Sequence, residues 1–312
     1  MNGFLNIVTC IATLGLAALI GFLCVKTHYL PKEVLPSVSK LVVRLTLPIL
    51  IVTSLTKTEL TPEKLLNCFA IVICGLAVIG FLMLIGFFCE KLFPKSAPPV
   101  THRCMTAFGN VVFIAYPLIQ SLYGTEGLFY ATIFVFANDA WLWTYAVFFL
   151  SKQSGRSASL TSSLKKLINP SSIAFTLSFI LMLFGVKFTG IAGDVLNGIG
   201  STTTYISMIY IGGILAGVNL RGILRRPSHL VLAFIKLIAV PVLLILALKL
   251  TPLSETVRGV IVLQAAMPVS TVLVMLCSEY GGDADYSAEG VFITTLLSLG
   301  TLPLIYSLMS LL

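Results

Sequence analysis

Long apolar runs separated by short polar breaks dominate this sequence of 312 residues. Cutting the chain at charged, proline-rich and glycine-rich breaks leaves segments of about 20 residues, the length at which an α-helix crosses a bilayer. Ten such segments lie near residues 4–24, 35–55, 65–89, 103–123, 128–150, 170–187, 200–220, 228–250, 256–280 and 287–311. Backbone groups in hydrocarbon need partners within their own segment, so these runs predict helices and not barrel strands. The predicted fold class is therefore an all-α polytopic membrane protein with ten transmembrane helices.

Composition excludes a water-soluble fold. Hydrophobic residues make up 57% of the chain and charged residues 10%, whereas soluble domains carry about 25% charged residues. The seven cysteines are scattered without a CxxC pair, and there are three histidines, a pattern that predicts no metal site and no disulfide framework. The net charge of +8 comes from residues in the breaks between apolar segments. It therefore indicates topology in a lipid bilayer and predicts no nucleic-acid partner.

The distribution of Lys and Arg predicts the orientation, because cytoplasmic loops are enriched in them. One side would carry Lys26, Lys32, Lys40, Lys91, Lys95, Arg103, Lys152, Arg156, Lys165, Lys166, Arg221, Arg225 and Arg226, and the other Lys57, Lys64, Lys187, Lys249 and Arg258. The richer side is predicted to be cytoplasmic. Both termini would then lie outside, and the loop 151–169 would be cytoplasmic.

The two halves of the chain resemble each other. Residues 1–150 and 170–312 are predicted to be two five-helix repeats joined by the linker 151–169, the longest polar stretch. The fourth span of each half begins at an arginine, contains a proline (Pro117 or Pro268) and ends at a Tyr-Gly pair. Since five spans are an odd number, the second half enters the membrane from the opposite side. Inverted repeats of this kind are typical of secondary transporters.

Both of these prolines have polar neighbours. They are Asn110, Tyr116 and Gln120 around Pro117, and Gln264 and Ser270 around Pro268. A proline in a helix interior removes a hydrogen bond, so the two spans are predicted to be broken helices that cross. The N-termini of such half-helices suit an anion such as a carboxylate. An ordinary proline kink is the alternative reading for either span.

Charged residues inside the spans are further candidates. Asp139, beside Asn138, lies in the middle of the fifth span, where an ionisable group is expensive and indicates function by default. Its candidate roles are proton acceptor, cation ligand, partner of the crossing backbone, or a structural role. Lys236 would reach the membrane surface or pair with Asp139, and Arg44 is predicted to reach the cytoplasmic surface.

The motifs GNVVFIAYPLIQSLYG (109–124) and AAMPVSTVLVMLCSEYG (265–281) resemble the two crossing helices of the auxin efflux carrier family of membrane transporters. The resemblance extends to the spacing of spans along essentially the whole chain, to the mid-chain loop and to the pair Leu302-Pro303. The short central loop resembles that of bacterial members, which are described as malonate, malate or related organic-acid permeases. The resemblance implies a bacterial inner-membrane protein.

The resemblance also implies the fold shared with bile acid:sodium symporters. Spans one, two, six and seven would form a scaffold, often dimeric, and spans three to five and eight to ten a moving transport domain. The family's crossing asparagine and prolines fall on Asn110, Pro117 and Pro268. The residues Val269-Ser270-Thr271 depart from the plant pattern, so auxin is not the expected substrate.

The expected function is alternating-access transport of a small organic anion. The candidate substrate-binding residues are Asn110, Tyr116, Pro117, Asn138, Pro268 and Ser270, and the candidate coupling or site-shaping residues are Asp139, Gln120 and Gln264. No cofactor is expected, and coupling to protons, to sodium or to neither stays open. A sodium-coupled symporter, a channel or a solute sensor on the same fold is the alternative. A membrane enzyme is disfavoured because His28, His102 and His229 lie in separate predicted loops.

Overall fold

The computed structural model describes residues 2–92, 98–155, 168–217 and 226–311, and their side chains from residue 8 onwards. These residues form helices and one isolated antiparallel bridge. The helices are α1 (Asn2–Lys26), α2 (Lys32–Leu55), α3 (Pro62–Leu92), α4a (Pro99–Ala107), α4b (115–123), α5 (125–153), α6 (Pro170–Leu183), α7 (Gly190–Leu215), α8 (Pro227–Lys249), α9a (Glu255–Ala265), α9b (Val272–Tyr280) and α10 (Ala284–Leu311).

The all-helical membrane fold class is confirmed. Within the described ranges, six helical stretches are long and apolar enough to cross a membrane, namely α1, α2, α3, the stretch Ala115–Gln153, α8 and α10. The number of crossings and the inverted repeat stay predictions.

Two helix boundaries differ clearly from the prediction. The helix α6 ends at Leu183 and not near residue 187, because Gly185 adopts φ 65° and leaves the helical conformation. Its 14 residues measure about 21 Å, which is less than the bilayer core of about 30 Å. The helix α7 begins at Gly190, ten residues before the predicted start. Hydropathy did not predict this start, because the first turns of α7 contain the polar residues Asp194 and Asn197.

A glycine separates α4b from α5. Gly124 has φ 62° and ψ −152°, a backbone conformation that residues with a β-carbon rarely adopt. This is the glycine of the first Tyr-Gly pair. The predicted end of the fourth span therefore coincides with a kink between two helical segments.

The helices α1 and α7 approach each other backbone to backbone. A β-carbon added at Gly212 would overlap the carbonyl oxygen of Ala18, and one added at Gly21 would overlap that of Ile209. Small residues permit this close packing between membrane helices.

The helices pack closely, and α1 contacts both α10 and the 115–141 helix. The helix α2 packs against α6 and α7, and α7 packs against α1, so these four helices are neighbours. The helix α3 packs against α4a and α5, α9a against α8 and the 115–141 helix, and α10 against α8 and α9b. The division into a scaffold and a moving domain is not tested by this packing and stays a prediction.

Candidate functional site

The fourth predicted helix is broken, but upstream of its proline. The half-helix α4a ends at Ala107 and α4b begins at Ala115, with residues 108–114 between them. Within this break the Asn110 side-chain oxygen accepts a hydrogen bond of 3.1 Å from the backbone N–H of Phe113. Pro117 lies in the first turn of α4b, where a helix N–H has no intrahelical partner in any case. The ring of Pro117 clashes with a helical carbonyl four residues earlier, and that residue, Phe113, lies inside the break.

The ninth predicted helix is broken between α9a and α9b, at residues 266–271, and this break contains Pro268. The two breaks pair as a short antiparallel bridge centred on Gly109 and Val269. The backbone N–H of Asn110 donates to the carbonyl oxygen of Pro268 at 2.7 Å, and the N–H of Ser270 donates to that of Phe108 at 3.1 Å. We call residues 108–114 together with 266–271 the crossing. The structure thus brings Asn110, Pro268 and Ser270 together.

Two further contacts fix the crossing. A β-carbon at Gly109 would lie 3.1 Å from the β-carbon of Met267, so glycine allows the two segments to approach closely. The backbone N–H of Val269 donates to the hydroxyl oxygen of Thr294 on α10 at 3.0 Å. The second break is therefore anchored to α10.

A lysine from α8 reaches the end of α4a. The Lys236 ammonium donates to the carbonyl oxygens of Thr106 at 2.9 Å and Ala107 at 3.3 Å, and its residue is 1% exposed. The two expectations for Lys236, a position at the membrane surface and a pair with Asp139, are both wrong. The helices α8 and α4a both pack against α10, and the side chain lies inside the bundle. The signal that could have found it is the one used for Asp139, a lone ionisable residue well inside an apolar span.

Several buried polar atoms at the crossing have unused hydrogen-bonding capacity. Among the described residues, the side-chain nitrogen of Asn110, the side-chain oxygen of Gln264 and the hydroxyl of Thr271 have no hydrogen-bond partner. The Gln264 amide nitrogen donates to the carbonyl oxygen of Ala131 at 3.3 Å. A buried polar atom without a partner costs about 1–3 kcal/mol. Such atoms are therefore candidates for contact with a solute.

The half-helix N-termini offer an anion fewer unpaired N–H groups than the sequence predicted. The N–H of Ala115 donates to the carbonyl oxygen of Asn110 at 3.3 Å, and in α9b the N–H of Leu273 donates to that of Ser270 at 3.1 Å. These N–H groups are used inside the breaks. The Asn110 side chain and the Lys236 ammonium are therefore the stronger candidates for binding an anion at the crossing.

A cavity of about 760 Å³ lies between α4b and the helices α1, α2 and α7. Pro117 and Gln120 line it from α4b. The other helices contribute mainly hydroxyl groups, including Thr9, Thr13, Thr53, Ser54, Ser201 and Thr204. Among its lining residues Lys57 is the charged one, and its ammonium donates to the side-chain oxygen of Asn197 at 2.6 Å. A cavity with one ammonium and no carboxylate in its lining is suited to an anionic solute.

Asp139 lies in a different cavity. That cavity measures about 90 Å³ and is lined by Asp139, Tyr116 and the first turn of α6, including Ser171. The Asn138 amide donates to the Asp139 carboxylate at 3.4 Å. The predicted residues are thus divided among three places, which are the crossing, the large polar cavity and this smaller cavity.

Two of the histidines are buried and belong to one cluster. His102 of α4a is hydrogen-bonded through Nδ1 to the Tyr286 hydroxyl at 2.8 Å, and that hydroxyl donates to Ser228 at 2.9 Å. His229 of α8 is hydrogen-bonded through Nε2 to Glu289 at 3.0 Å. The expectation that these histidines lie in separate loops is wrong, because α4a and α8 begin before them. The cluster ties α4a, α8 and α10 together.

Comparison with known proteins identifies the family. The sequence profile of a family described as "Membrane transport protein" matches residues 6–306. The chain belongs to the auxin efflux carrier family. This family member is similar to an "uncharacterized transporter" of Methanothermobacter thermautotrophicus, with 28% identity over 289 residues, 92% of this chain and 93% of the relative. It is also similar to an "uncharacterized transporter" of Methanocaldococcus jannaschii, with 28% identity over 203 residues, 62% of this chain and 63% of the relative.

Membership confirms the coarse functional prediction. The protein is an integral membrane transporter and not an enzyme, because the family is one of membrane transport and the relatives are named as transporters. The resemblance drawn from the two crossing motifs is confirmed with it.

Proposed function

We propose that this family member is a secondary active carrier of a small organic anion, such as a dicarboxylate, that works by alternating access. The observation that carries the proposal is the crossing. Two helix breaks pair through their backbones within apolar surroundings, and the Asn110 amide beside them has an unused donor. Broken helices that meet inside the bilayer are the usual substrate sites of secondary transporters.

Charge supports an anionic solute. The Lys236 ammonium donates to the carbonyl oxygens of Thr106 and Ala107, and Ala107 is the residue directly before the first break. Lys57 is the charged residue in the lining of the large polar cavity. Positive groups in a cleft with low-dielectric walls raise the local concentration of an anion. We assign the cavity as the entry path, with Gln120 and Pro117 on its wall and Asn110 as the carboxylate ligand deeper in.

The proposed arrangement is ten spans in two inverted five-helix repeats. Its support is that the fourth and ninth helices both break and that the breaks pair. The contacts of α7 with α1 and α2, and of α2 with α6, are compatible with a scaffold of these four helices. The charge bias supports outward termini, and a homodimer and a bacterial inner membrane belong to the same proposal. Asp139, in its own cavity beside Tyr116 and Asn138, is assigned a site-shaping or coupling role.

Uptake of labelled organic acids into proteoliposomes tests the proposal. We expect saturable uptake of malonate, malate or a related acid by the wild type. Asn110→Ala should reduce it by roughly tenfold, because a charge-assisted hydrogen bond is lost. Asn67→Ala is the matched control, since that half-buried amide of α3 donates to the Tyr130 hydroxyl of α5 at 3.1 Å and lies outside the crossing.

Three results would contradict the proposal. These are the absence of uptake and binding for every organic acid tried, equal losses in Asn110→Ala and Asn67→Ala, and single-channel currents in place of saturable uptake.

A further inference from the structure

The Lys236 ammonium occupies a place where transporters bind a free cation. The half-helix α4a ends inside the bundle, and its last carbonyl groups and the negative end of its dipole need a positive partner. The carbonyl oxygens of Thr106 and Ala107 receive that partner from Lys236, at 2.9 and 3.3 Å. Carbonyls and half-helix C-termini of this kind coordinate sodium ions in other transporters. Here a covalently attached ammonium binds them.

The lysine is not balanced by a neighbouring carboxylate. Among the described residues of the surrounding helices, Glu90 pairs with Arg103, and Glu289 pairs with Arg226 and His229. Asp139 lines the smaller cavity with Tyr116, and the hydrogen bonds of Lys236 go to backbone carbonyls. A buried charge without a counter-charge is expensive in a membrane. An anionic solute at the crossing would reduce this cost.

The backbone around Lys236 departs from a regular α-helix, as it also does at Val42–Thr46 and Leu142–Ala146. Residues Ile235–Ala239 form a π-helical turn, and Pro241 follows it in α8. Such π turns inside α-helices are frequent at functional sites. The other residues of this turn are apolar. Its one basic side chain, that of Lys236, extends to the end of α4a.

We propose that Lys236 is a built-in counter-cation of the crossing, so that this transporter moves its organic anion without a free sodium ion. The proposal rests on the proposed function for the nature of the solute. It concerns a separate point, the source of the positive charge at the carbonyls of α4a.

A pair of variants tests the site without any solute. Lys236→Ala removes the side chain beyond its β-carbon, which corresponds to n-propylammonium, and so leaves room for that ion. Lys236→Met removes the charge but fills most of the same space. In thermal unfolding of the purified full-length protein, we expect n-propylammonium to raise the Tm of Lys236→Ala by about 2–4 °C at roughly ten times its Kd. The wild type and Lys236→Met should show no such shift. Equal shifts in all three proteins, or none in a folded Lys236→Ala, would overturn the proposal.

Transport by the wild type provides a test that does not depend on folding of the variants. We expect equal initial rates of anion uptake when sodium is replaced by choline on both sides of the membrane. A strict need for sodium would overturn the proposal.

In Lys236→Ala uptake should fall by roughly tenfold to a hundredfold and recover with n-propylammonium, whereas Lys236→Met should stay low.

The outcomes separate the two proposals. If the wild type moves no organic acid, the proposed function fails, and the thermal-shift comparison still decides the role of the lysine. If uptake is observed but depends on sodium, the function stands and the built-in cation is rejected.

Discussion

The two segments of the crossing are broken alike but held differently. In the first break, Asn110 closes a turn with its own side chain, and the carbonyls before the break are bound by Lys236 from α8. In the second break, the chain uses its own backbone, because the carbonyl oxygen of Gln264, the last residue but one of α9a, accepts from the N–H of Met267 at 3.4 Å. The hydroxyl of Thr294 then accepts from the N–H of Val269. A charged group from α8 therefore binds next to the first segment, which also has a free amide donor. The second segment is held by neutral groups.

This difference concerns function: the first segment offers an amide donor for solute binding, and the second is held by a structural hydrogen bond from α10. Corresponding positions of the two halves have the same backbone arrangement, yet the charge lies on the α4 side alone in the described crossing. We therefore expect a substitution that alters the Asn110 amide to change solute binding, and one that removes the Thr294 anchor of the second segment to change mainly stability. The following predictions test that division.

Asn110→Asp should have the largest effect. The carboxylate keeps the acceptor for the Phe113 N–H but replaces the free amide donor by a negative charge. Repulsion of an anionic solute should raise KM for uptake by roughly a hundredfold. Uptake kinetics in proteoliposomes measure it, with Asn67→Asp as the control. An unchanged KM in Asn110→Asp would contradict the assignment of the first segment to solute binding.

Thr294→Val should act on stability. It leaves the buried N–H of Val269 without its partner, which should lower the free energy of unfolding by about 2 kcal/mol. Denaturant unfolding in detergent measures the loss. Ser298→Ala is the control, because that hydroxyl donates to the carbonyl oxygen of Thr295 in its own helix and should matter less. A large rise in KM without loss of stability would show that the second segment binds solute directly.

Gly109→Ala should have a moderate effect. Its new β-carbon would lie 3.1 Å from the β-carbon of Met267 and 3.3 Å from the Met267 carbonyl oxygen, so the two segments would have to separate slightly. We expect a loss of about 1 kcal/mol in unfolding free energy. Gly80→Ala in α3 is the control, because its nearest neighbour is a Trp141 ring atom at 3.7 Å. If Gly109→Ala proved as stable as Gly80→Ala, the close pairing of the two breaks would be in error.

Pro117→Ala should have the smallest effect. The residue lies in the first turn of α4b, where its missing N–H costs nothing, so unfolding free energy should change by less than about 0.5 kcal/mol. The same unfolding assay measures it. A loss above about 2 kcal/mol would contradict this prediction and show that Pro117 itself stabilises the broken conformation.

Much of the fold could be predicted from the sequence because it depends on local features. Runs of apolar residues specify membrane helices, and Gly124 ends α4b where the Tyr-Gly pair indicated. The pairing of Asn110 with Pro268 joins residues far apart in sequence, yet the matched motifs of the two halves pointed to that contact. The candidate residues at the crossing came from these motifs.

The position of the first break and the partner of Lys236 could not be predicted in this way. Pro117 was the obvious local cause of a break, but the break lies at 108–114 because the backbone there pairs with a distant segment. Lys236 was expected to reach the membrane surface, because it lies two turns into the eighth span, or to pair with Asp139. Its true partners are carbonyls on α4a, which come within reach because α8 and α4a both pack against α10.

The sequence by itself determined that this chain is a helical membrane protein of a transporter family, because hydropathy and short motifs are properties of consecutive residues. The tertiary structure alone decided which buried groups meet. It gathered His102 and His229 into one cluster, separated Asp139 from the large polar cavity, and placed Lys236 at the end of α4a. The physical reason is that hydrogen bonds between helices depend on the rotation and depth of each helix, and the apolar pattern of a nearly uniform membrane helix constrains these only weakly.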